Sequence, residues 1–164
     1  MTDLFQDTLT IKTVSLWQPW ASLMAAGIKL HDVRHWAPAH RGPIAIHAAK
    51  TIDVVGAPED LCVAALGVRW RQLLPIGMVL AVGELTACVE ASRLYERLTR
   101  ADKEAGNFAP GHFAWRIEKP RALKAPIPLA GRQGLFNWTA PLDLGGMLHH
   151  AVDHHAACRY IGWA

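Results

Sequence analysis

The chain has 164 residues, of which 51% are hydrophobic and 19% are charged. This length suits one domain with a core of its own, and the composition excludes an intrinsically disordered chain. The formal net charge of +3 is compatible with a nucleic-acid or phosphate partner, although it is too small to indicate one by itself. Seven tryptophans are the unusual count, because aromatic side chains both fill cores and stack on bases.

The cysteines and the N-terminus indicate the compartment. Cys62, Cys88 and Cys158 lie far apart with no C-x-x-C pair, which favours a reducing, intracellular setting over a disulfide framework. The N-terminal residues lack the basic and apolar regions of a signal peptide. No apolar run approaches the roughly 20 residues that span a bilayer. We therefore expect a soluble, cytoplasmic protein with no membrane partner, whose oligomeric state the sequence leaves open.

The N-terminal half is predicted to combine strands with one helix. Residues 1–10 are expected to form a flexible arm, and a short strand follows over 13–16. Pro19 suits the first turn of a helix, since its missing N–H needs no partner there, and Gly27 suits the helix end. Two further predicted strands cover residues 27–36 and 40–50.

The C-terminal half begins with a helix predicted over 57–74, where Glu59 and Asp60 complement the helix dipole in the first turn. Apolar residues then predict a strand over 78–91, and a polar segment predicts a helical connection that ends at Gly106. The remaining predicted elements are strands over 112–120 and 122–130, a loop over 131–138 and a C-terminal helical extension over 144–164.

These elements contain no repeat and no linker, so residues 1–164 are predicted to form a single domain. Five or six strands with a few helices, and without a regular strand–helix–strand pattern, predict an α+β fold. The sheet is expected to be small and mostly antiparallel, or a small barrel.

The segment GIKLHDVRHW, residues 27–36, places several charges on a predicted strand. Side chains alternate along a strand, so Asp32, Arg34 and Trp36 share one face, and Lys29 lies at the turn before them. The purely structural interpretation is an exposed face whose Asp32–Arg34 pair contributes well under about 1 kcal/mol to stability. In the functional one, Lys29 and Arg34 bind an anionic ligand and Asp32 accepts a proton.

The next predicted strand ends with two more candidates. Lys50 would complete a basic rim with Lys29 and Arg34, although a lysine at a strand end is commonly just solvated. His47 is compatible with a role in the ligand site and with a hydrogen-bonded place inside the sheet.

Two other segments carry side chains that suit a nucleotide. GRQG places Arg132 and Gln133 between Gly131 and Gly134, and glycines let the backbone approach a ligand closely. An arginine binds a phosphate through its fork, and a glutamine amide reads a base edge. SLWQPW supplies the candidates Trp17, Gln18 and Trp20, of which at least one indole is expected in the core.

The histidine-rich tail is a candidate zinc site. His150, His154 and Cys158 recur at intervals of four residues, with His149 and Asp153 beside them. Two histidines one helical turn apart can bind zinc, but no second cluster supplies the other ligands. We therefore predict no metal and no other cofactor. No nucleophile elbow, P-loop or dinucleotide fingerprint is present, and no motif supports a Ser/His or Cys/His catalytic site.

Four segments are distinctive in their order and spacing: SLWQPWASLMAAGIK, RGPIAIHAAK, FAPGHFAWRIE and PIPLAGRQGLFNW. Together they closely resemble the ASCH family, the activating-signal-cointegrator homology domains, from about residue 13 to residue 138. The resemblance implies a PUA-like fold, which is a small β-barrel with flanking helices, in a class associated with RNA binding.

The family's signature Gly-x-Lys-x-x-Glu-x-Arg falls on Gly27, Lys29, Asp32 and Arg34. The resemblance implies that this strand lines the family's ligand cleft, so that its charges are functional. The chain departs from the signature at Asp32, where glutamate is usual. Aspartate keeps the charge but is one methylene shorter, which changes any proton-transfer geometry set for glutamate.

Several classes of function follow from the resemblance. In the first, the chain binds RNA or a nucleotide: an indole stacks on a base, Gln133 reads its edge, and cations hold phosphate. These cations are Lys29, Arg34, Lys50 and Arg132. In the second class the chain is an enzyme, either a metal-independent ribonuclease or a small amidohydrolase that deacylates modified cytidine. A non-catalytic interaction domain with a vestigial cleft is the third.

The two enzymes need different residues. A ribonuclease requires a base and an acid near the phosphate, and the candidates are Lys50, His47, Tyr95 and Asp32. The amidohydrolases of the superfamily use a lysine, here Lys29, with a nearby nucleophile or acid and a glutamate. Their threonine nucleophile would fall at Asp32, which leaves the amidohydrolase pattern incomplete.

Overall fold

A computed structural model describes residues 8–150 of the chain. Its strands are β1 Leu9–Gln18, β2 His31–Arg34, β3 Gly42–Ile52, β4 Met78–Glu90, β5 Phe113–Pro128 and β6 Leu135–Ala140. Its α-helices are α1 Trp20–Ala25, α2 Glu59–Leu66, α3 Trp70–Leu73, α4 Arg100–Ala105 and α5 Leu144–Met147, with 3₁₀ turns at Ala91–Arg93 and Tyr95–Arg97. Within the described residues, no helix has the length and apolar character needed to cross a membrane.

The six strands form one sheet in the order β2-β5-β4-β3-β1-β6. Neighbouring strands are antiparallel except for β1 and β3, which run parallel. The predicted α+β fold with a mostly antiparallel sheet is therefore confirmed. The helix predicted after Pro19 is α1, and Gly27 follows it at a φ of +76°, a left-handed conformation that suits glycine.

The prediction of a closed barrel is wrong. Within residues 8–150, β2 pairs only with β5 and β6 only with β1, so both remain edges of the ladder. The physical reason is the shortness of β2, whose four residues pair only along β5. A side chain spans the gap instead, because Arg34 Nη2 on β2 donates to the Ser15 carbonyl oxygen on β1 over 2.7 Å. Four inter-strand steps of about 4.8 Å would separate these strands in a flat sheet, so the sheet is strongly curved.

Hydrophobic cores lie on both faces of the curved sheet. Alternation along the strands places Val14 of β1 and Ile44 of β3 on one face, where they pack against the fully buried helix α1. The opposite face carries a second core that includes Ile11 and Ala45. Ser15 follows Ile11 on this second face, so the polar end of β1 leads out of that core and into a cleft.

Several predicted boundaries were wrong because glycine and strand pairing decided them. Gly67, at a φ of +89°, follows α2, so the helix predicted over 57–74 is two short helices. The strands predicted over 112–120 and 122–130 are the single strand β5, since both parts pair with β4. Part of the loop predicted over 131–138 is strand β6, which pairs with β1.

Two predicted segments extend beyond the described residues, and the parts of them that are described differ from prediction. β1 begins at Leu9 because it pairs with β6 from that residue onward, so the arm predicted over 1–10 overlaps a strand. Of the helix predicted over 144–164, only α5 is helical among the described residues, since Leu148 forms a bridge with Leu123 of β5. The rest of that prediction falls on residues 151–164, outside the described part of the chain.

Candidate functional site

A cleft of about 900 Å³ opens where β1 and β3 end, and the segment after β2 and the loop before β6 complete its walls. We call it the main cleft. Its lining includes Ser15, Trp17, Arg34, His35, Trp36, His47, Lys50, Gly131, Arg132, Gln133 and Gly134. The fold therefore brings together, from four separate parts of the chain, most of the residues that the sequence predicted for ligand binding.

The charged lining of the main cleft is cationic. Arg34, Lys50 and Arg132 contribute to it, and among the described residues no Asp or Glu does so. Lys50 and Arg132 are exposed, and neither forms an ion pair within residues 8–150. Their charges are therefore open to solvent in the cleft.

Arg34 is held in place by the protein itself. Its Nε donates to Asp32 Oδ2 over 2.8 Å, and its Nη2 donates to the Ser15 carbonyl oxygen over 2.7 Å. The guanidinium carbon lies 5.9 Å from the centre of the Trp115 ring. Asp32 is only 8% exposed, so this pair does not lie on the solvated strand face of the purely structural interpretation. The guanidinium is thus oriented before any ligand binds.

A second cavity of about 420 Å³ adjoins the main cleft, and we call it the small pocket. Ser15, Trp17 and Arg34 line both cavities and form their shared wall. The small pocket adds the side chains of Trp20, Lys29, Asp32 and Asp53. Lys29 and Lys50, which the sequence analysis placed on one basic rim, therefore lie in different cavities.

Lys29 is a buried cation, with 3% of its surface exposed. Its ammonium group donates to the main-chain carbonyl oxygen of His31. Burial lowers the pKa of Lys29, the carboxylates of Asp32 and Asp102 offset this only in part, and the charge of Arg34 lowers it further. A lysine in this environment gives up its proton more readily than a solvated one.

Asp102 on α4 positions the start of β2, and the sequence analysis missed it. Its Oδ1 accepts from the main-chain N–H groups of Leu30 and His31 over 3.0 and 2.8 Å. Its Oδ2 lies 3.1 Å from His31 Nδ1 and accepts from the hydroxyl of Thr99, the N-cap of α4. The one local signal was the Thr-x-x-Asp spacing at the start of this helix.

Ser15 and His47 form a hydrogen-bonded pair at the main cleft. The distance from Ser15 Oγ to His47 Nδ1 is 2.9 Å, and His47 Nε2 lies 2.8 Å from the Leu129 carbonyl oxygen. A carbonyl oxygen can only accept, so Nε2 carries the proton and Nδ1 accepts from the serine hydroxyl. Burial lowers the pKa of His47, although the bond to Leu129 raises it in part, and the ring is therefore held neutral.

No sequence motif signals this pair. The two residues are 32 positions apart and meet because β1 and β3 are parallel neighbours, with Ser15 opposite His47. His47 is 1% exposed and both of its ring nitrogens are occupied, so within the cleft lining it offers a ligand no free ring nitrogen. Ser15 is one of the cleft residues that the sequence did not identify as a candidate, together with His35 and Gly77.

Besides Lys29 and Asp32, three predicted site residues do not line the main cleft. Gln18 is fully buried, and its amide is hydrogen-bonded to Ser22 and to the main chain. Trp20 is 8% exposed, packs in a hydrophobic cluster with α2, and reaches only the small pocket. Tyr95 is exposed, stacks edge-on against Phe108, and belongs to neither lining.

Within residues 8–150, no group of three or more His, Cys, Asp or Glu side chains is arranged to hold a metal ion. His149 and His150 follow α5, and the main-chain N–H of His149 donates to β5. The other members of the weighed zinc cluster, His154, Asp153 and Cys158, lie outside the described residues.

The chain is similar to one domain family and to several known proteins. A family model described as the ASCH domain matches residues 14–127. Activating signal cointegrator 1 from Mus musculus is 24% identical over 142 residues, which cover 80% of this chain, and the Homo sapiens protein gives the same figures. The chain spans only 23% of the length of these curated relatives. The crystal structure of ASCH from Zymomonas mobilis is 17% identical with a TM-score of 0.49, over 84% of this chain and 95% of that one.

Proposed function

The chain belongs to the ASCH domain family, and from that premise we propose that its main cleft binds RNA or a nucleotide. The observation that carries the proposal is the lining, in which three cationic side chains surround a cavity beside an exposed indole. This combination suits the phosphate and the base of one nucleotide at the same time.

The phosphate is proposed to bind between Lys50 and Arg132. Both side chains are exposed in the cleft, and Arg132 offers a fork that matches two phosphate oxygens. Arg34 adds a third, oriented charge, because its bonds to Asp32 and Ser15 prevent it from turning away. Gly131 and Gly134 flank Arg132 and leave room for a ligand close to the backbone.

The base is proposed to stack on Trp17. This indole is 57% exposed although it lines both cavities, and a flat aromatic surface of this kind binds any base through its π face. Gln133 lines the same cleft and supplies one donor and one acceptor for a base edge. This arrangement favours single-stranded RNA, whose bases are free to stack on protein.

Binding is tested directly with a fluorescein-labelled, single-stranded oligoribonucleotide and fluorescence anisotropy at two salt concentrations. We expect saturable binding that weakens as salt increases, since phosphate contacts release counterions. Absence of binding at the lower salt concentration would reject the proposal and leave nucleoside deacylation or an interaction domain.

The same RNA tests strand scission. Purified protein is incubated with the labelled RNA and a chelator, beside Lys50→Ala, and the products are separated on a gel. Cleavage by the wild type but not by the variant would establish a metal-independent ribonuclease that uses Lys50. Intact RNA in both samples, together with binding, would leave a module that binds without cutting.

A second candidate is deacylation of a modified nucleoside in the small pocket, which the environment of Lys29 favours. Lys29 lines this pocket beside Asp32, and its pKa is lowered by burial. Asp32 accepts from Arg34 and lines the same pocket, where a carboxylate can take a proton from an attacking water. Incubation with N4-acetylcytidine and chromatography of the product tests this reaction: wild type should release cytidine and acetate, and Lys29→Met should not. No cytidine from the wild type rejects it.

A further inference from the structure

We propose that Ser15 and His47 form an acyl-transfer centre, with Ser15 as the nucleophile and His47 as its general base. The substrate class is a carboxylic ester that carries an anionic group, since the same cleft holds Lys50 and Arg132. This activity is distinct from the binding of RNA and from the Lys29 chemistry of the small pocket.

The hydrogen bond between the two side chains runs from the serine to the histidine. Ser15 Oγ donates to His47 Nδ1 over 2.9 Å, because the other ring nitrogen must donate to the Leu129 carbonyl oxygen. The serine proton therefore already points at an unprotonated nitrogen. A hydroxyl paired in this way with a neutral imidazole is the arrangement that activates a serine nucleophile.

The His47 base is also held in a defined orientation. In such sites a third group holds the imidazole in the required tautomer and supports the positive charge that forms on it. Here the Leu129 carbonyl oxygen accepts from Nε2 over 2.8 Å, and the ring lies edge-on to Phe136 with their centres 6.2 Å apart. The imidazole is 1% exposed, so it is shielded from solvent where it lines the cleft beside the Ser15 hydroxyl.

A substrate must also be able to reach the Ser15 hydroxyl. Ser15 lines both cavities, and Gly131 lies directly against the pair. A Cβ at position 131 would lie 2.7 Å from His47 Cε1 and 3.1 Å from Ser15 Oγ. The Gly131 backbone therefore packs against the pair more closely than any side chain would allow, and Ser15 is reached through the two cavities that it lines. Arg34, bonded to the Ser15 carbonyl oxygen, places a positive charge beside the nucleophile.

Hydrolysis of the ester through an acyl-serine requires no reagent other than water. Ser15 Oγ forms a bond to the acyl carbon while its proton moves to His47 Nδ1, and the ester C–O bond breaks as the leaving alcohol takes that proton. A water molecule then attacks the acyl-serine and gives its proton to His47. The carboxylic acid leaves as the proton returns to Ser15 Oγ.

A tagged fluorophosphonate tests the nucleophile without RNA. Ser15 attacks phosphorus and fluoride leaves, which forms a stable phosphonyl-serine that mass spectrometry locates. We expect labelling of the wild type at Ser15 and its loss in Ser15→Ala, which removes only a hydroxyl. Ser92→Ala is the matched control, because Ser92 is exposed and its hydroxyl donates to a carboxylate of Glu90. An unlabelled Ser15 in the wild type overturns the proposal, whether or not RNA binds.

His47→Gln tests the base. A glutamine can donate to Leu129 and accept from Ser15 but cannot take up a proton at neutral pH, so the labelling rate should fall by at least about 100-fold. Equal labelling rates in His47→Gln and wild type would overturn the role of His47. Circular dichroism verifies the fold of each variant, and the comparison of wild type with Ser15→Ala decides the nucleophile independently of His47→Gln.

Discussion

Arg34 on β2 donates to the main-chain carbonyl oxygen of Ser15 on β1 over 2.7 Å, although three strands separate β2 from β1 in the sheet. The contact joins two remote parts of an open, curved sheet. Both residues line both cavities, so the same contact that spans the fold also shapes the candidate site. Stability and ligand binding are therefore expected to change together when it is removed.

Arg34→Ala tests this link. The change leaves the nearly buried carboxylate of Asp32 without its partner, so the free energy of unfolding should fall by roughly 1–3 kcal/mol. Arg34→Lys should recover only part of it, since an ammonium cannot bridge both acceptors with a planar fork. Urea denaturation measures the effect, and Arg93→Ala, which removes an exposed pair with Glu90, is the control. Equal stability of Arg34→Ala and Arg93→Ala would contradict the prediction.

Lys50→Ala and Arg132→Ala test the proposed phosphate contacts. Each variant should weaken RNA binding and reduce the slope of log K against log salt by about 0.7, as expected for one lost contact to a single strand. Arg69→Ala makes the same change of charge at an exposed position outside both linings. If it weakens binding as much as Arg132→Ala, net charge and not the cleft is responsible.

Trp17→Ala tests base stacking. Loss of the indole should weaken RNA binding by about 1–3 kcal/mol, and Trp17→Phe should retain most of the affinity. Stability should change little, because Trp17 is 57% exposed. Leu142→Ala removes another exposed apolar side chain and should leave binding as it is. Anisotropy titrations measure all three, and wild-type affinity in Trp17→Ala would show that no base stacks there.

Asp102→Asn tests the contact that positions β2, and its effect should depend on pH. Burial alone would raise the pKa of the Asp102 carboxyl, but the bond from His31 and the charge of Lys29 hold the pKa below its usual value of 3.8. Such a group stabilises the fold above the unfolded pKa, and the contribution is lost as pH falls through the folded pKa. We expect Asp102→Asn to cost roughly 1–3 kcal/mol at pH 7 and progressively less below pH 3.8.

Thermal melts between pH 7 and pH 3 measure this difference. Asp143→Asn is the control, since Asp143 is exposed and its side chain makes no capping bond to α5. A difference between wild type and Asp102→Asn that stays constant over the whole range would mean that the carboxylate charge is not what stabilises β2.

Gly131→Ala tests the packing of the loop against the Ser15–His47 pair. The added methyl group would lie 2.7 Å from His47 Cε1, so the loop or the ring must move. We expect a loss of about 1 kcal/mol in stability and slower phosphonylation of Ser15. Gly145→Ala is the matched control, because a Cβ there has no neighbour within 4 Å. Identical melting temperatures and labelling rates in both variants would contradict this account.

Local chemistry made part of the protein predictable. Alternation along a strand placed Asp32 and Arg34 on one face, and the ion pair between them has that geometry. Proline and glycine marked the two ends of α1, because their backbone restrictions act within a few residues. The linked motifs were sufficient for the family, and the matching family model confirms that prediction.

The sequence did not determine whether the sheet closes or which residues meet in the site, because both depend on the tertiary structure. The sequence predicts Lys29 on one basic rim with Lys50, yet the fold buries Lys29 in the small pocket. Gln18 is predicted to contact the ligand, yet its amide donates to Ser22 and to the main chain inside the protein. Tyr95 lies in neither cavity.

The sequence by itself thus determined the family, the α+β class and the residue types available for a ligand. The parallel pairing of β1 with β3 decided that Ser15 meets His47, and the curvature of the sheet decided that Arg34 meets Ser15. These contacts join residues 32 and 19 positions apart. Local propensities act over a few residues along the chain, whereas burial and long-range pairing depend on how the whole sheet packs.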